Sequence, residues 1–213
     1  MKKIIDILLD WPKPYIFGSD LCHLLNKSPD SRYAIVKRAL KEGLLLPLRR
    51  DLYLIRRKSS LVDTFEISSI LYGPSYVSFE SALSYHGWIP EAVRSTTCAS
   101  TKRSKEFETS LGFFSYEHIP STAFPLGVEQ HQKRNVTLFI AHPWKALADM
   151  IYARKQTWTT LNDLSEDLRI DPEHFTDSDA SFLADLSAHY PNNLVKRTLG
   201  TLRKSLPRQR DLS

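Results

Sequence analysis

A chain of 213 residues with 42% hydrophobic and 25% charged residues can bury a core of its own, and at this length one or two domains are the natural count. Its apolar runs, such as Leu44 to Leu48, fall far short of the roughly 20 residues needed to cross a bilayer, which excludes a helical membrane span. The formal net charge of +5 is modest and by itself names no partner.

The first ten residues carry two lysines and an apolar stretch, but Asp6 and Asp10 interrupt it and no small-residue cleavage site follows. They read as a helix rather than a signal peptide, so the expected location is cytoplasmic. Cys22 and Cys98 are the only cysteines, without a CxxC pair or metal-ligand spacing, and both are expected to be reduced and buried.

Ile4, Ile5, Leu8 and Trp11 recur at helical spacing until Pro12 and Pro14 stop the first helix. Ser19 is placed to cap a short second helix carrying Leu21, Leu24 and Leu25, and Asn26 to Asp30 turns the chain. A third helix runs from about Ser31 to Glu42, with Gly43 where a left-handed residue closes it. On a helical wheel Ile35, Ala39, Val36, Leu40 and Tyr33 form one apolar arc that is expected to face the first two helices. The opposite face is Ala34, Lys37, Arg38 and Lys41, with Ser31 at its start. That is positive charge around a small residue, which lets the backbone approach a groove floor.

Leu44 to Leu48 and Leu52 to Ile55 read as two strands flanking Arg49-Arg50-Asp51. Three helices followed by a hairpin is the winged-helix order, in which the third helix enters the major groove and the hairpin tip reaches the neighbouring backbone. The candidate DNA-binding residues are therefore Ser31, Ala34, Lys37, Arg38, Lys41, Arg49 and Arg50, the last two placed at the wing tip. Charge supports this: Lys27 to Lys58 holds ten basic residues against three acidic ones, a local +7, so the rest of the chain sums to −2.

After Lys58 a longer, less charged region begins. The expected domains are a winged helix-turn-helix over residues 1–58 and a larger α+β domain over 59–213, with 157–213 mainly helical and the two parts separable at Arg57 to Ser60. Leu61 to Tyr72 looks helical, and Ser78 is placed to cap a helix through Ala82 and Leu83 to Gly87. Strands are expected at Ser95 to Thr101, Lys105 to Thr109, Phe113 to Ile119 and Val136 to Ala141. From Pro143 the chain is helical again, with starts at Asp171-Pro172 and Thr176-Asp177 and a break at Pro191. The basic cluster Lys196, Arg197, Arg203, Lys204, Arg208 and Arg210 reads as a solvated helix face with a frayed tail.

No catalytic constellation emerges. None of the seven histidines sits three to five residues from another, so no helical metal pair is expected, and there is no G-x-S-x-G and no glycine-rich phosphate loop. Neither a cofactor nor a metal is expected. Lys145 and Asp149, four apart, read as a structural ion pair, and the Phe113 to Tyr116 stretch as sheet core rather than a base-stacking platform. A nucleic-acid-processing enzyme targeted by the winged helix is the alternative reading, with Glu106, Glu108, Glu117 and His118 as its candidate site.

Four segments in order, Arg50 to Tyr53, Val77 to Gly87, Tyr116 to Ile119 and Ala141 to Asp149, resemble the AbiEi-type antitoxins of bacterial type IV toxin-antitoxin pairs over roughly residues 1–155. The family usually has glycine in the wing where this chain has Asp51, and glutamate where it has Trp144. The resemblance implies a non-enzymatic regulator that binds double-stranded operator DNA, represses its own operon and counteracts a co-encoded nucleotidyltransferase toxin, functionally rather than through a stable complex.

Overall fold

The computed structural model describes residues 4–90, 94–134 and 136–207, apart from the side chains of Pro29 and Leu61. Among these residues the chain is α+β, with nine α-helices and two β-sheets.

The N-terminal part runs α1 (Ile4–Asp10), β1 (Tyr15–Phe17), α2 (Gly18–Leu24), α3 (Arg32–Lys41), β2 (Leu45–Arg49) and β3 (Leu52–Ile55). β1 has no counterpart among the expected elements, because three residues between a proline and a glycine are too short to show alternation. It pairs antiparallel with β3, Tyr15 opposite Leu54, in a sheet ordered β1-β3-β2. This strand delivers the chain directly into α2, so Phe17 takes the cap position and Ser19 lies inside the first turn rather than capping it. Gly18 leaves room for the hairpin turn: a Cβ there would stand 2.6 Å from Asp51 Oδ1 and displace that carboxylate. Gly43 closes α3 as expected, with φ +66° and Leu44 N–H donating to the Ala39 carbonyl at 2.9 Å.

Val36 and Ala39 of α3 pack with Leu8, Ile16, Leu21, Leu45 and Ile55 in a small core. Tyr33 does not join them and is 76% exposed. It stands at the border of the apolar arc, beside Lys37, whose Nζ lies 5.7 Å from its ring. The opposite side of the small sheet is covered as well, since Leu48, Leu52 and Leu54 belong to the main core and Tyr15, Phe17 and Leu46 pack against it. Burial on both faces explains why these strands read as continuous leucine runs instead of an alternating pattern.

A 3-10 segment, Arg56–Leu61, leads into α4 (Thr64–Leu71), β4 (Ser75–Val77), α5 (Phe79–Tyr85), β5 (Ser95–Ser100), β6 (Lys105–Thr109), β7 (Gly112–His118), β8 (Val128–Lys133) and β9 (Val136–Ala141). The second sheet is ordered β6-β7-β5-β4-β9-β8, with β5–β7 and β4–β9 parallel and the other pairs antiparallel. The four expected strands are present within a residue or so. Two more join them: β4 is too brief to show a period, and β8 is a polar edge strand, Val-Glu-Gln-His-Gln-Lys, without an apolar one. The expected boundary between residues 58 and 59 falls inside the 3-10 segment, where Lys58 Nζ donates to the Trp11 carbonyl.

α6 (Pro143–Arg154), α7 (Leu161–Leu168), α8 (Asp179–His189) and α9 (Asn193–Lys204) complete the chain. Pro191 separates α8 from α9, while Asp171-Pro172 opens only a 3-10 turn, Pro172–His174, with Asp171 Oδ1 accepting from Glu173 N–H at 3.0 Å. α6 is the central helix, buried from Pro143 through Ile151. Its Lys145 and Asp149 form the expected ion pair, and both are fully buried. Asp149 also accepts from Tyr76 Oη (2.8 Å), Ser78 Oγ (2.8 Å) and Tyr190 Oη (3.0 Å). Ser78 stands at the start of α5 but spends its hydroxyl on Asp149 instead of on a helix cap.

Candidate nucleic-acid interface

With its apolar arc committed to the small core, α3 presents Ala34, Lys37, Arg38 and Lys41, all exposed. Ser31 is half-buried at the end of a 3-10 turn, its Oγ 3.2 Å from Ser28 Oγ, and its hydroxyl makes no cap bond to α3. Arg38 Nε donates to Glu42 Oε1 at 2.8 Å, an exposed pair one turn apart. Such a pair is weak in water and yields readily to a phosphate.

The turn between β2 and β3 consists of Arg50 and Asp51. Asp51 holds φ +62°, the left-handed geometry for which glycine is the usual choice and Asp a tolerated one. Arg50 is exposed at this tip. Arg49 is not there: a β-bulge sets Pro47 opposite Tyr53 but Arg49 opposite Leu52, so Leu48 enters the main core and Arg49 lies half-buried as the last residue of β2. Its guanidinium stands 6.0 Å from the Phe17 ring, Nη1 donates to the Arg50 carbonyl at 3.2 Å, and Nε is buried without a hydrogen-bond partner.

Between α3 and this turn runs an open groove of about 540 Å³, lined among others by Arg32, Tyr33, Lys37, Arg50, Asp51 and Tyr53. Arg32 Nη1 is 3.7 Å from Asp51 Oδ1. Of these groove residues, the pattern on the sequence singles out Lys37 and Arg50 and leaves out Arg32, Tyr33, Asp51 and Tyr53. A wheel treats a helix alone and finds one face opposite the core, whereas the β2–β3 hairpin gives α3 a second flank, which only the folded chain defines.

The remaining candidates are distributed elsewhere. Lys196, Arg197, Arg203 and Lys204 lie exposed along α9, whose other face buries Val195, Leu199 and Leu202, and Arg208 and Arg210 lie outside the described residues. Glu106 and Glu108 are exposed on the edge strand β6. Glu117 accepts from Arg154, which also bridges to Glu80, and His118 Nδ1 is 3.2 Å from the Lys102 carbonyl. One group does assemble from positions distant in sequence: His86, Glu129 and His131 bring ligand atoms within 4.8 Å of one another. Burial holds His86 and nearby His142 below the ordinary imidazole value. No protein-family model matches the chain, and no curated protein matches it either.

Proposed function

We propose that residues 1–58 act as a winged helix-turn-helix that binds double-stranded DNA, with α3 in the major groove and Arg50 on the adjacent phosphate backbone. The observation that carries this reading is the open groove lined by Arg32, Lys37 and Arg50, with Arg38 and Lys41 exposed on the same helix. Element order supports it too, since helix, strand, helix, helix and hairpin with a sheet ordered β1-β3-β2 is the arrangement in which a wing flanks a recognition helix.

With the resemblance to AbiEi-type antitoxins, this extends to a regulator that represses its own operon and, without stable contact, counteracts a co-encoded nucleotidyltransferase toxin in the cytoplasm. The deciding experiment is fluorescence anisotropy of the full chain with the duplex upstream of its own reading frame and with a scrambled duplex, over a range of salt. Replacing Lys37, Arg38 and Lys41 together with alanine should reduce the slope of log affinity against log salt by about 0.9 for each phosphate that is no longer neutralised. Unchanged affinity in that variant would sink the DNA-binding reading. The antitoxin half is tested by co-expression with the neighbouring reading frame: growth arrest that the full chain does not relieve removes it and leaves DNA binding standing.

A further inference from the structure

We propose that His86, Glu129 and His131 form a binding site for a first-row divalent cation, Zn²⁺ in particular, where the end of α5 meets the edge strand β8. Glu129 and His131 alternate along β8, so both side chains leave the same face of the strand. His86 is the residue at which α5 stops, its N–H still bonded to the Ala82 carbonyl, and Gly87 at φ +74° turns the chain away. These local rules aim two imidazoles at one carboxylate: Glu129 Oε2 is 3.0 Å from His131 Nε2 and 3.9 Å from His86 Nε2.

Zinc bonds of about 2.0–2.2 Å in a tetrahedron place neighbouring donors roughly 3.4 Å apart. The two separations to Glu129 fall on either side of that value and the imidazole nitrogens lie within 4.8 Å of each other, so ligation asks for side-chain shifts of roughly an ångström rather than a rearrangement of the backbone. Two imidazoles and one carboxylate suit zinc and its neighbours, and not magnesium or calcium, which take oxygen donors. Three protein ligands leave a fourth position for water, and all three residues are half-buried, so solvent reaches them. The rings are also braced against rotation, because Tyr85 stands edge-on to His86 at 5.3 Å and to His131 at 5.1 Å, with 5.6 Å between the two imidazoles. His142 is no ligand here, since its Nδ1 accepts from Trp144 N–H at 3.3 Å to cap α6.

Uptake has a chemical signature. His86 Nε2 lies 3.0 Å from the Ala141 carbonyl; a metal on that nitrogen takes the place of this hydrogen bond and leaves the imidazole's one proton on Nδ1, and uptake weakens on acidification because each imidazole must be neutral to act as a ligand.

The test uses the full chain, stripped with a chelator and titrated with Zn²⁺ alone by calorimetry and by thermal unfolding, with Mg²⁺ as comparison. One Zn²⁺ per chain is expected, with a rise in Tm of about 5–10 °C at a hundredfold excess over Kd and no response to Mg²⁺. Glu129→Gln and His131→Ala should each abolish stoichiometric uptake, and Co²⁺ loading should give the visible ligand-field bands of a four- or five-coordinate site in the parent but not in either variant. His189→Ala, on an exposed histidine beside Asp185, should change nothing. Absence of uptake overturns the proposal. So does uptake that is equal in the parent, Glu129→Gln and His131→Ala, which would indicate scattered surface histidines. Should one variant fail to fold by circular dichroism, the other decides.

Discussion

Asp149 sits fully buried in α6, where a lone carboxylate would carry a large desolvation penalty. Its four donors, Lys145, Tyr76, Ser78 and Tyr190, satisfy it, and in return it is the partner that keeps a buried ammonium charged. Asp149→Ala strands that ammonium and should destabilise the protein by about 3–5 kcal/mol in urea unfolding. Adding Lys145→Met should recover part of that stability, and a double variant as weak as the single one would mean that the tyrosine and serine hydrogen bonds, not the ion pair, dominate. Burial acts on neutral acids nearby as well: it pushes the Cys98 thiol up to about 12 and holds the Tyr76, Tyr116 and Tyr190 phenols above their ordinary value. The unfolded chain gives up these protons first, near 9.0 for the thiol and 10.0 for the phenols. Their contribution is therefore complete below about pH 9 and is lost above it, at up to about 1.4 kcal/mol per pH unit for each group. Lys145, whose ammonium burial pushes down, works in the other direction, but it is one group against four. The urea midpoint should fall steadily from pH 9 to about pH 11, and a constant midpoint would show these groups to be open to solvent.

At the scale of single elements, the two arginines next to each other in the hairpin should behave differently. Arg50→Ala should weaken binding to the upstream and scrambled duplexes by the same factor, because a phosphate contact reads no sequence, and a selective loss would mean that Arg50 reaches a base. Arg49→Met should leave the salt slope untouched. It also removes a buried Nε that has no partner, a group whose burial costs about 1–3 kcal/mol, so thermal unfolding should show stability unchanged or higher. Asp51→Asn keeps a residue that tolerates the left-handed turn, frees Arg32 and removes a negative charge from the groove, so affinity for any duplex should rise, most at low salt. α3 itself is legible in the sequence because period and stop signal agree: Val36 and Ala39 face inward, Lys37 and Lys41 outward, and Gly43 closes the helix. The place of Arg49 is not legible, since a bulge depends on how Pro47 and Tyr53 register across the hairpin.

At the scale of the whole molecule the two parts share a core. Leu48, Leu52 and Leu54 of the small sheet are buried with Tyr76, Phe114 and Tyr116 of the large one. Removing three leucines from such a core forgoes roughly 5–9 kcal/mol, comparable with the whole stability of a typical domain. Separate expression of residues 1–58 should therefore give a fragment without cooperative structure. The full chain should unfold in one transition, with far-UV circular dichroism and tryptophan fluorescence coincident in urea, and two resolved transitions would restore two independent domains. What the sequence by itself determined is whatever depends on neighbours within a few positions: helix faces, glycine and proline stops, the stronger strands, and the concentration of basic residues before Lys58. Only the tertiary structure decided that the small sheet is buried on both faces, that Tyr33 and Arg32 line a groove, and that His86 meets Glu129 and His131. Those meetings join residues tens of positions apart, and a local pattern carries no information about which distant surface will cover it.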